Sequence, residues 1–211
     1  MREAVGLKGW LKPLVLIVAV AAVSGSGAAA AGRVGPSDAR SVGLQRYLAS
    51  MSWPVRASVL RAGSTRGAID DWLTIGDPPF LGQIAGRCGS FLAIEARGHL
   101  LEIRAPGGLE AHHDRVVGAY TLARRGCAAV RASALAVRSL GERLAVTGSA
   151  ADKRAWLGAE AAARTRFQQF ERLTLASFTE AVRGWRVAVL RASAGSSVRS
   201  AWLSELALED G

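Results

Sequence analysis

The clearest helical pattern of this chain is LEAHHDRVVGAYTLARRGCAAVRASALAVRSLGERLAV, residues 109–146. Steps of four and then three residues from Leu109 mark one stripe along a helix, and nine of its eleven positions are apolar, small, Tyr or Cys. The stripe consists of Leu109, His113, Val116, Tyr120, Ala123, Cys127, Val130, Ala134, Val137, Gly141 and Leu144. This heptad pattern, with His113 and Gly141 as its weak positions, predicts one long helix of a bundle.

A partner helix is predicted directly before it. Asp77-Pro78-Pro79 is a strong start signal, because Asp can cap a helix and Pro fits its first turn. The following helix is expected over residues 80–104, and Ala105-Pro106-Gly107-Gly108 is the turn. After the long helix, Ser149 and Asp152 resemble a capping box, which predicts a further helix to about Ala192.

The flanking segments carry weaker helical signals. Ser37 can cap a helix that reaches about Met51, and Pro54 is expected to stop or kink it. A second piece over 54–62 is expected to end at Gly63, followed by a short helix over 68–73. Residues 194–197 are predicted as a linker and 198–208 as a short last helix. Since strand-like alternation is scarce, the sequence predicts an all-α antiparallel bundle of four or five helices.

Two cysteines, Cys88 and Cys127, give a register for the predicted hairpin. If each residue of an α-helix adds its usual rise, the distances of Cys88 and Cys127 from the turn, measured along the two helices, agree within about 3 Å. One inter-helix disulfide between them is therefore expected in an exported chain. With these two residues facing each other, Glu95 is expected to face Tyr120, and Glu102 to face His113.

The first 32 residues have the order of a secretory signal peptide. Arg2, Lys8 and Lys12 precede the apolar run Leu14–Val23, and small residues follow it. The alternative is an uncleaved N-terminal anchor that extends over residues 11–31. Both alternatives place residues 33–193, the predicted bundle, and residues 194–211 outside the cytoplasm, secreted or anchored to the cytoplasmic membrane.

The three histidines, His99, His112 and His113, fall close together in the sequence among acidic residues. Glu95, His99, Glu102 and His113 would make a carboxylate–histidine metal or ligand site if the hairpin brought them together. The simpler interpretation is that Glu102 satisfies His113 and that His99 lies on the surface. The sequence lacks the pair of Glu-x-x-His motifs that a di-iron bundle carries, and this absence favours the simpler interpretation. No metal or other cofactor is therefore predicted.

The chain is strongly basic, with a formal net charge of +10. Arg124, Arg131 and Arg138 repeat every seven residues and form a stripe beside the apolar one. Such residues usually cover the edge of a core with their aliphatic stems. The alternative is a surface for an anionic partner such as an envelope polymer or lipid head groups. Nucleic acid is not expected, since the chain has an export signal and no nucleic-acid-binding motif.

These features favour a non-enzymatic role. Hydrophobic residues make up 50% of the chain and charged residues 21%, which excludes a disordered protein. No GxSxG, phosphate-loop or HExxH motif indicates an enzyme. The sequence therefore predicts an exported interaction or structural module of the bacterial cell envelope that binds a protein partner or a second copy of itself. The alternatives are a binder of anionic envelope polymers or lipid head groups, and a metal- or ligand-binding bundle.

Overall fold

The computed structural model describes residues 36–194, and within them the chain is all-helical with no strand. The elements are α1 (Pro36–Ile75), α2 (Pro78–Leu92), α3 (Glu95–Gly98), a 3-10 turn (Leu100–Glu102), α4 (Glu110–Thr147), α5 (Ala150–Gln169), a π-helix (Phe170–Leu175) and α6 (Ala176–Ala192). The elements α5, the π-helix and α6 follow one another without a break and form one long helical unit. This unit packs together with α1, α2 and α4, so the bundle has four helices. The predicted signal or anchor segment, and the C-terminal linker and helix beyond Ala194, lie outside the described residues.

Helix α4 is the centre of the bundle and packs against α2, α5, the π-helix and α6. Its inner face is the predicted stripe: the first nine positions, from Leu109 to Val137, are buried, and Gly141 and Leu144 are half-buried. Burial of this face supplies most of the stability of helix α4, because it removes apolar area from water. Knobs-into-holes packing of the coiled-coil type stays a prediction.

Helix α1 corrects the prediction of three separate pieces. It runs through Pro54 and Gly63 as one helix of 40 residues. Pro54 removes only one backbone donor, and the helix continues because Met51, Val55 and Ala62 remain buried on both sides of it. The favourable burial of this continuous face exceeds the cost of a single missing hydrogen bond.

Helix α2 begins where Asp77-Pro78-Pro79 predicted, but it ends at Leu92 and not at residue 104. The chain then turns through α3, and His99 adopts the left-handed conformation with φ 46°. Gly98 lies directly against α1, since a Cβ there would approach the Trp53 ring to 2.8 Å and Pro54 Cβ to 2.9 Å. The close approach of Gly98 to α1 therefore favours a bend in place of a continuing helix.

The corner between α4 and α5 agrees with the sequence signals. Gly148 has φ 60°, a conformation that suits glycine, and its N–H donates to Leu144 O. Ser149 Oγ accepts a hydrogen bond from Asp152 N at 3.1 Å. The Asp152 carboxylate in turn accepts hydrogen bonds from Thr147 and Ser149. These bonds, together with Arg143, hold the pKa of Asp152 below its usual range.

The π-helix carries an acidic residue that meets α1. Arg66 Nε donates to Glu171 Oε1 at 3.0 Å, and Asp70 lies one turn further along α1. Desolvation, and then the charge of Glu171 and a hydrogen bond with it, raise the pKa of Asp70. Two carboxylates therefore compete for one arginine at this contact.

Replacement of Asp70 by Asn should stabilise the protein at neutral pH. The raised pKa means that the folded state favours protonated Asp70, so this contribution is present below the ordinary value of 3.8 and is lost as pH rises. We expect Asp70→Asn to raise the free energy of unfolding by about 0.5 kcal/mol at pH 7, since the contact is exposed. Urea unfolding should show this gain at pH 7 and lose it near pH 3. Asp71→Asn, at the next exposed position, is the matched control, and an equal gain there would contradict the prediction.

Within the part of the chain that the structure describes, no helix has the length and apolarity that a membrane span requires.

Candidate functional site: an apolar cleft at one end of the bundle

The four residues of the predicted carboxylate–histidine cluster do not form one site. His99 Nδ1 lies 3.5 Å from Glu102 on the surface, and Glu95 Oε1 accepts a hydrogen bond from Leu101 N. His113 is buried elsewhere in the core. The partner of His113 is Tyr47 and that of Glu102 is His99, so the expected pair between Glu102 and His113 is not found among the described residues. Among residues 36–194, no group of three or more His, Cys, Asp or Glu side chains could hold a metal ion.

His113 instead belongs to a buried chain of three hydrogen-bonded side chains. Trp185 Nε1 donates to Tyr47 Oη at 2.8 Å, and Tyr47 Oη lies 3.2 Å from His113 Nδ1. Because an indole N–H can only donate, the Tyr47 proton is available to His113. Burial is the main cause that raises the pKa of Tyr47 to about 12. The three residues connect α1, α4 and α6.

The two cysteines lie together, as the predicted register requires. Both are fully buried and approach to 3.1 Å, but as free thiols, so the predicted disulfide is not confirmed. A hydrogen bond with Cys88, and then burial, raise the pKa of the Cys127 thiol. The same register places Glu95 near Tyr120, since burial and then the Glu95 carboxylate raise the pKa of Tyr120 to about 12.

The predicted arginine stripe follows the contact between α4 and α2. A Cβ on Gly89 would lie 3.7 Å from Arg131 Nε, and one on Gly82 would lie 3.8 Å from Arg138 Nη1. Arg138 Nε also donates to Glu142 Oε1 at 2.8 Å. Arg124 Nε is buried and has no hydrogen-bond partner in the described chain. This arrangement supports the interpretation of the stripe as side chains that cover the edge of the core.

An open cleft of about 650 Å³ lies where the end of α1 and the start of α2 meet the end of α4 and the start of α5. Its walls are mainly apolar, from Trp72, Pro78, Pro79, Leu81, Val137, Leu144 and Trp156. This volume and lining are in the range of small-molecule binding sites. Its apolar lining makes the cleft a candidate binding site among the described residues.

The wall of the cleft beside Trp72 is held by a network around Arg164. Its Nε and Nη2 both donate to Glu160 Oε1, at 3.1 and 2.9 Å. Its Nη1 donates to Leu73 O near the end of α1, at 3.1 Å. The guanidinium lies 4.8 Å from the centre of the Trp72 ring, a cation–π contact. These contacts fix α5 against α1 at the wall of the cleft.

Trp156 forms the opposite wall, and Gly141 gives it room. A Cβ on Gly141 would approach Trp156 Nε1 to 3.3 Å, so a larger side chain there would push the indole away. No hydrogen bond to the indole N–H is present within residues 36–194. The indole N–H thus lies beside Gly141, in a lining that also includes Glu142 and Glu160.

Three exposed apolar side chains are next in sequence to residues that line the cleft. Ile75, Val146 and Leu157 are 64%, 88% and 47% exposed, and their neighbours Gly76, Ala145 and Trp156 line the cleft. Because successive residues of a helix point about 100° apart, these three side chains are not part of the lining.

The sequence contained one signal for this cleft. Gly141 interrupts the apolar stripe of α4 at the position where a side chain would otherwise fill the space. The other lining residues come from helix ends that only the tertiary arrangement brings together. Comparison of the chain with protein-family models, with curated proteins and with solved structures finds no match.

Proposed function

We propose that the chain is an exported, non-enzymatic interaction module of the bacterial cell envelope, and that the cleft end of the bundle is its binding surface. The observation that carries this proposal is the cleft with its mainly apolar lining. A surface of this kind lowers the free energy of a complex by removing apolar area from water. The signal-like segment supports action outside the cytoplasm.

The charges of the cleft suit binding more than acid–base chemistry. Glu160 is bound by Arg164, and Glu142 by Arg138. General acid–base catalysis needs a group that gains and loses a proton near the working pH. Both carboxylates are engaged by arginine, and the lining of the cleft contains no His or Cys among the described residues.

The export part of the proposal can be tested with a reporter that is active only outside the cytoplasm. Alkaline phosphatase fused after Gly211 should be active in intact bacteria. The matched control is Val18→Arg, which places a charge in the middle of the apolar run and should abolish activity. Equal activity of the two fusions would contradict export through this segment.

The binding part can be tested by site-specific photocrosslinking in intact cells. A photoreactive residue at Val146, which is 88% exposed and next in sequence to the cleft residue Ala145, should give a defined crosslinked product. The control position is Leu122, which is 57% exposed on the same helix but away from the cleft. A product that forms equally at both positions would contradict the assignment of the binding surface.

We also propose that Cys88 and Cys127 form the predicted disulfide after export. The two thiols would lose two protons and two electrons to a disulfide-bearing oxidant, and one S–S bond would form. We expect the exported chain, alkylated after denaturation, to take up no alkyl group and to weigh two hydrogens less than the reduced chain. The chain kept inside by Val18→Arg should take up two. An exported chain that takes up two alkyl groups would contradict the disulfide.

A second candidate function is binding of anionic envelope polymers or lipid head groups. It is favoured by the net charge of +10 and by the many arginines outside the five that form ion pairs in the described chain. Binding of this kind must weaken steeply with salt, because exposed charges are screened. A crosslink at Val146 that persists at high salt would favour the cleft, and one that disappears would favour the polyanion.

A further inference from the structure

We propose that the bundle binds a single water molecule between α4 and the bend that follows α2. The water accepts hydrogen bonds from the Tyr120 hydroxyl and from Arg124 Nε, and it donates one to Glu95 Oε2. These three residues do not line the apolar cleft, so the water site and the proposed function can be tested separately.

The site is marked by buried polar atoms without partners. Within residues 36–194, the buried side-chain polar atoms that make no hydrogen bond are Glu95 Oε2, Tyr120 Oη and Arg124 Nε. Tyr120 as a whole is fully buried. Buried polar groups are normally paired, either with other protein groups or with ordered water. The three atoms therefore need a partner that the side chains of the bundle do not supply.

The three groups lie around one point, the hydroxyl of Tyr120. Tyr120 and Arg124 are one turn apart on α4, so their side chains are neighbours on the helix surface. The Phe91 ring, four residues before Glu95, has its centre 5.3 Å from that of Tyr120. After burial, the Glu95 carboxylate raises the pKa of Tyr120, and the Arg124 guanidinium lowers it. Both charges thus reach the same hydroxyl.

The carboxylate of Glu95 is held in place from its other side. Its Oε1 accepts a hydrogen bond from Leu101 N at 3.1 Å, which leaves Oε2 as the buried oxygen. Glu95 Oε2 and Arg124 Nε do not bond to each other, although their charges are opposite. Polar groups that approach one another without bonding directly are commonly bridged by water. A bridge at this place joins the bend after α2 to the middle of α4.

The same three atoms select the chemistry of the bound molecule. The molecule must donate to a carboxylate and accept from a guanidinium N–H, which can only donate. An anion would be repelled by Glu95 and a cation by Arg124. Water meets both conditions, because its two lone pairs accept from Tyr120 and Arg124 while one hydrogen bonds to Glu95. The usual number of hydrogen bonds to a buried water is about three.

The test counts the water molecules that the full chain holds for longer than its own tumbling time, by magnetic relaxation dispersion of the solvent nuclei. The double substitution Tyr120→Phe and Arg124→Met removes both donors but keeps the ring and most of the aliphatic stem. Glu95 is then the last partner, and a buried water needs more than one. The double variant should therefore hold one water molecule fewer than the wild type. The matched control is Arg125→Met, at the next position, which is exposed and should leave the count unchanged.

A second measurement uses the wild type alone, so it stands even where the double variant does not fold. In a rotating-frame Overhauser spectrum, the Arg124 Nε proton should give a cross-peak to water with the sign of direct contact, which is opposite to that of chemical exchange. An unchanged water count in the folded double variant, or an equal fall in Arg125→Met, would overturn the bound water. The lack of a contact peak at Arg124 Nε would overturn it as well.

Discussion

Removal of the Tyr47 hydroxyl should destabilise the protein by about 2–4 kcal/mol. The hydroxyl accepts the bond from Trp185 Nε1 at 2.8 Å and lies 3.2 Å from His113 Nδ1. Trp185 is fully buried, and only 6% of His113 is exposed. Tyr47→Phe therefore leaves a buried donor and a nearly buried acceptor without water to replace the lost partner. The free energy of unfolding from urea titrations measures the loss.

The chain provides a matched control in Tyr120. Its hydroxyl is also buried but has no side-chain hydrogen-bond partner in the described part of the chain, and the backbone of Glu95 lies near it. Tyr120→Phe makes the same chemical change and should cost less than Tyr47→Phe, because no hydrogen bond between side chains is broken. Equal losses in the two variants would contradict the role assigned to Tyr47.

Alkaline pH gives a second check on Tyr47. Burial raises the pKa of Tyr47 from 10.0 to about 12 in the folded protein. A raised pKa of an acidic group means that its stabilising contribution is present below pH 10 and is lost as pH rises to 12. The stability difference between the wild type and Tyr47→Phe should therefore shrink over this range. A constant difference would contradict the buried hydrogen-bonded phenol.

The sequence predicted those parts of the fold that depend on local chemistry. Asp77-Pro78 and Ser149 mark real helix starts, and Gly148 ends α4 in the left-handed conformation that glycine tolerates. The stripe from Leu109 gave the buried face of α4, because a helix repeats its inner face regardless of its partners. These signals act within a few residues of one another.

The errors arose where tertiary packing overrides a local signal. Pro54 and Gly63 were expected to divide α1, but burial on both sides of them keeps one helix. The expected helix over 80–104 ends at Leu92, since Gly98 packs onto Trp53 and Pro54 of α1. The contact of Gly98 with α1 cannot be read from the local pattern, because Gly98 lies more than 40 residues from Trp53 and Pro54 in the sequence.

The candidate site shows the same division. The spacing of the histidines favoured surface and core roles over a metal site, and His99 pairs with Glu102 whereas His113 contacts Tyr47. The cleft was not predicted, because its lining comes from helix ends between residue 72 and residue 160 that only the tertiary arrangement brings together.

A methyl group at Gly126 should destabilise the bundle by about 2–3 kcal/mol. A Cβ there would lie 2.4 and 2.5 Å from Cδ2 and Cε2 of Phe170, the first residue of the π-helix. The ring is only 4% exposed and cannot swing into solvent, so either the π-helix or α4 must move. Gly126 is therefore a position where the close approach of two helices requires the absence of a side chain.

The same substitution at Gly118 should have the opposite sign. Gly118 lies two turns earlier on α4, and a Cβ there meets nothing within 4 Å. Alanine lowers the conformational entropy of the unfolded chain and favours the helix, so Gly118→Ala should stabilise by about 0.5–1 kcal/mol. In thermal and urea unfolding, Gly118→Ala should be more stable than the wild type and Gly126→Ala should be less stable. A stabilising Gly126→Ala would mean that Phe170 does not pack on α4, and the contact between α4 and the π-helix would have to be abandoned.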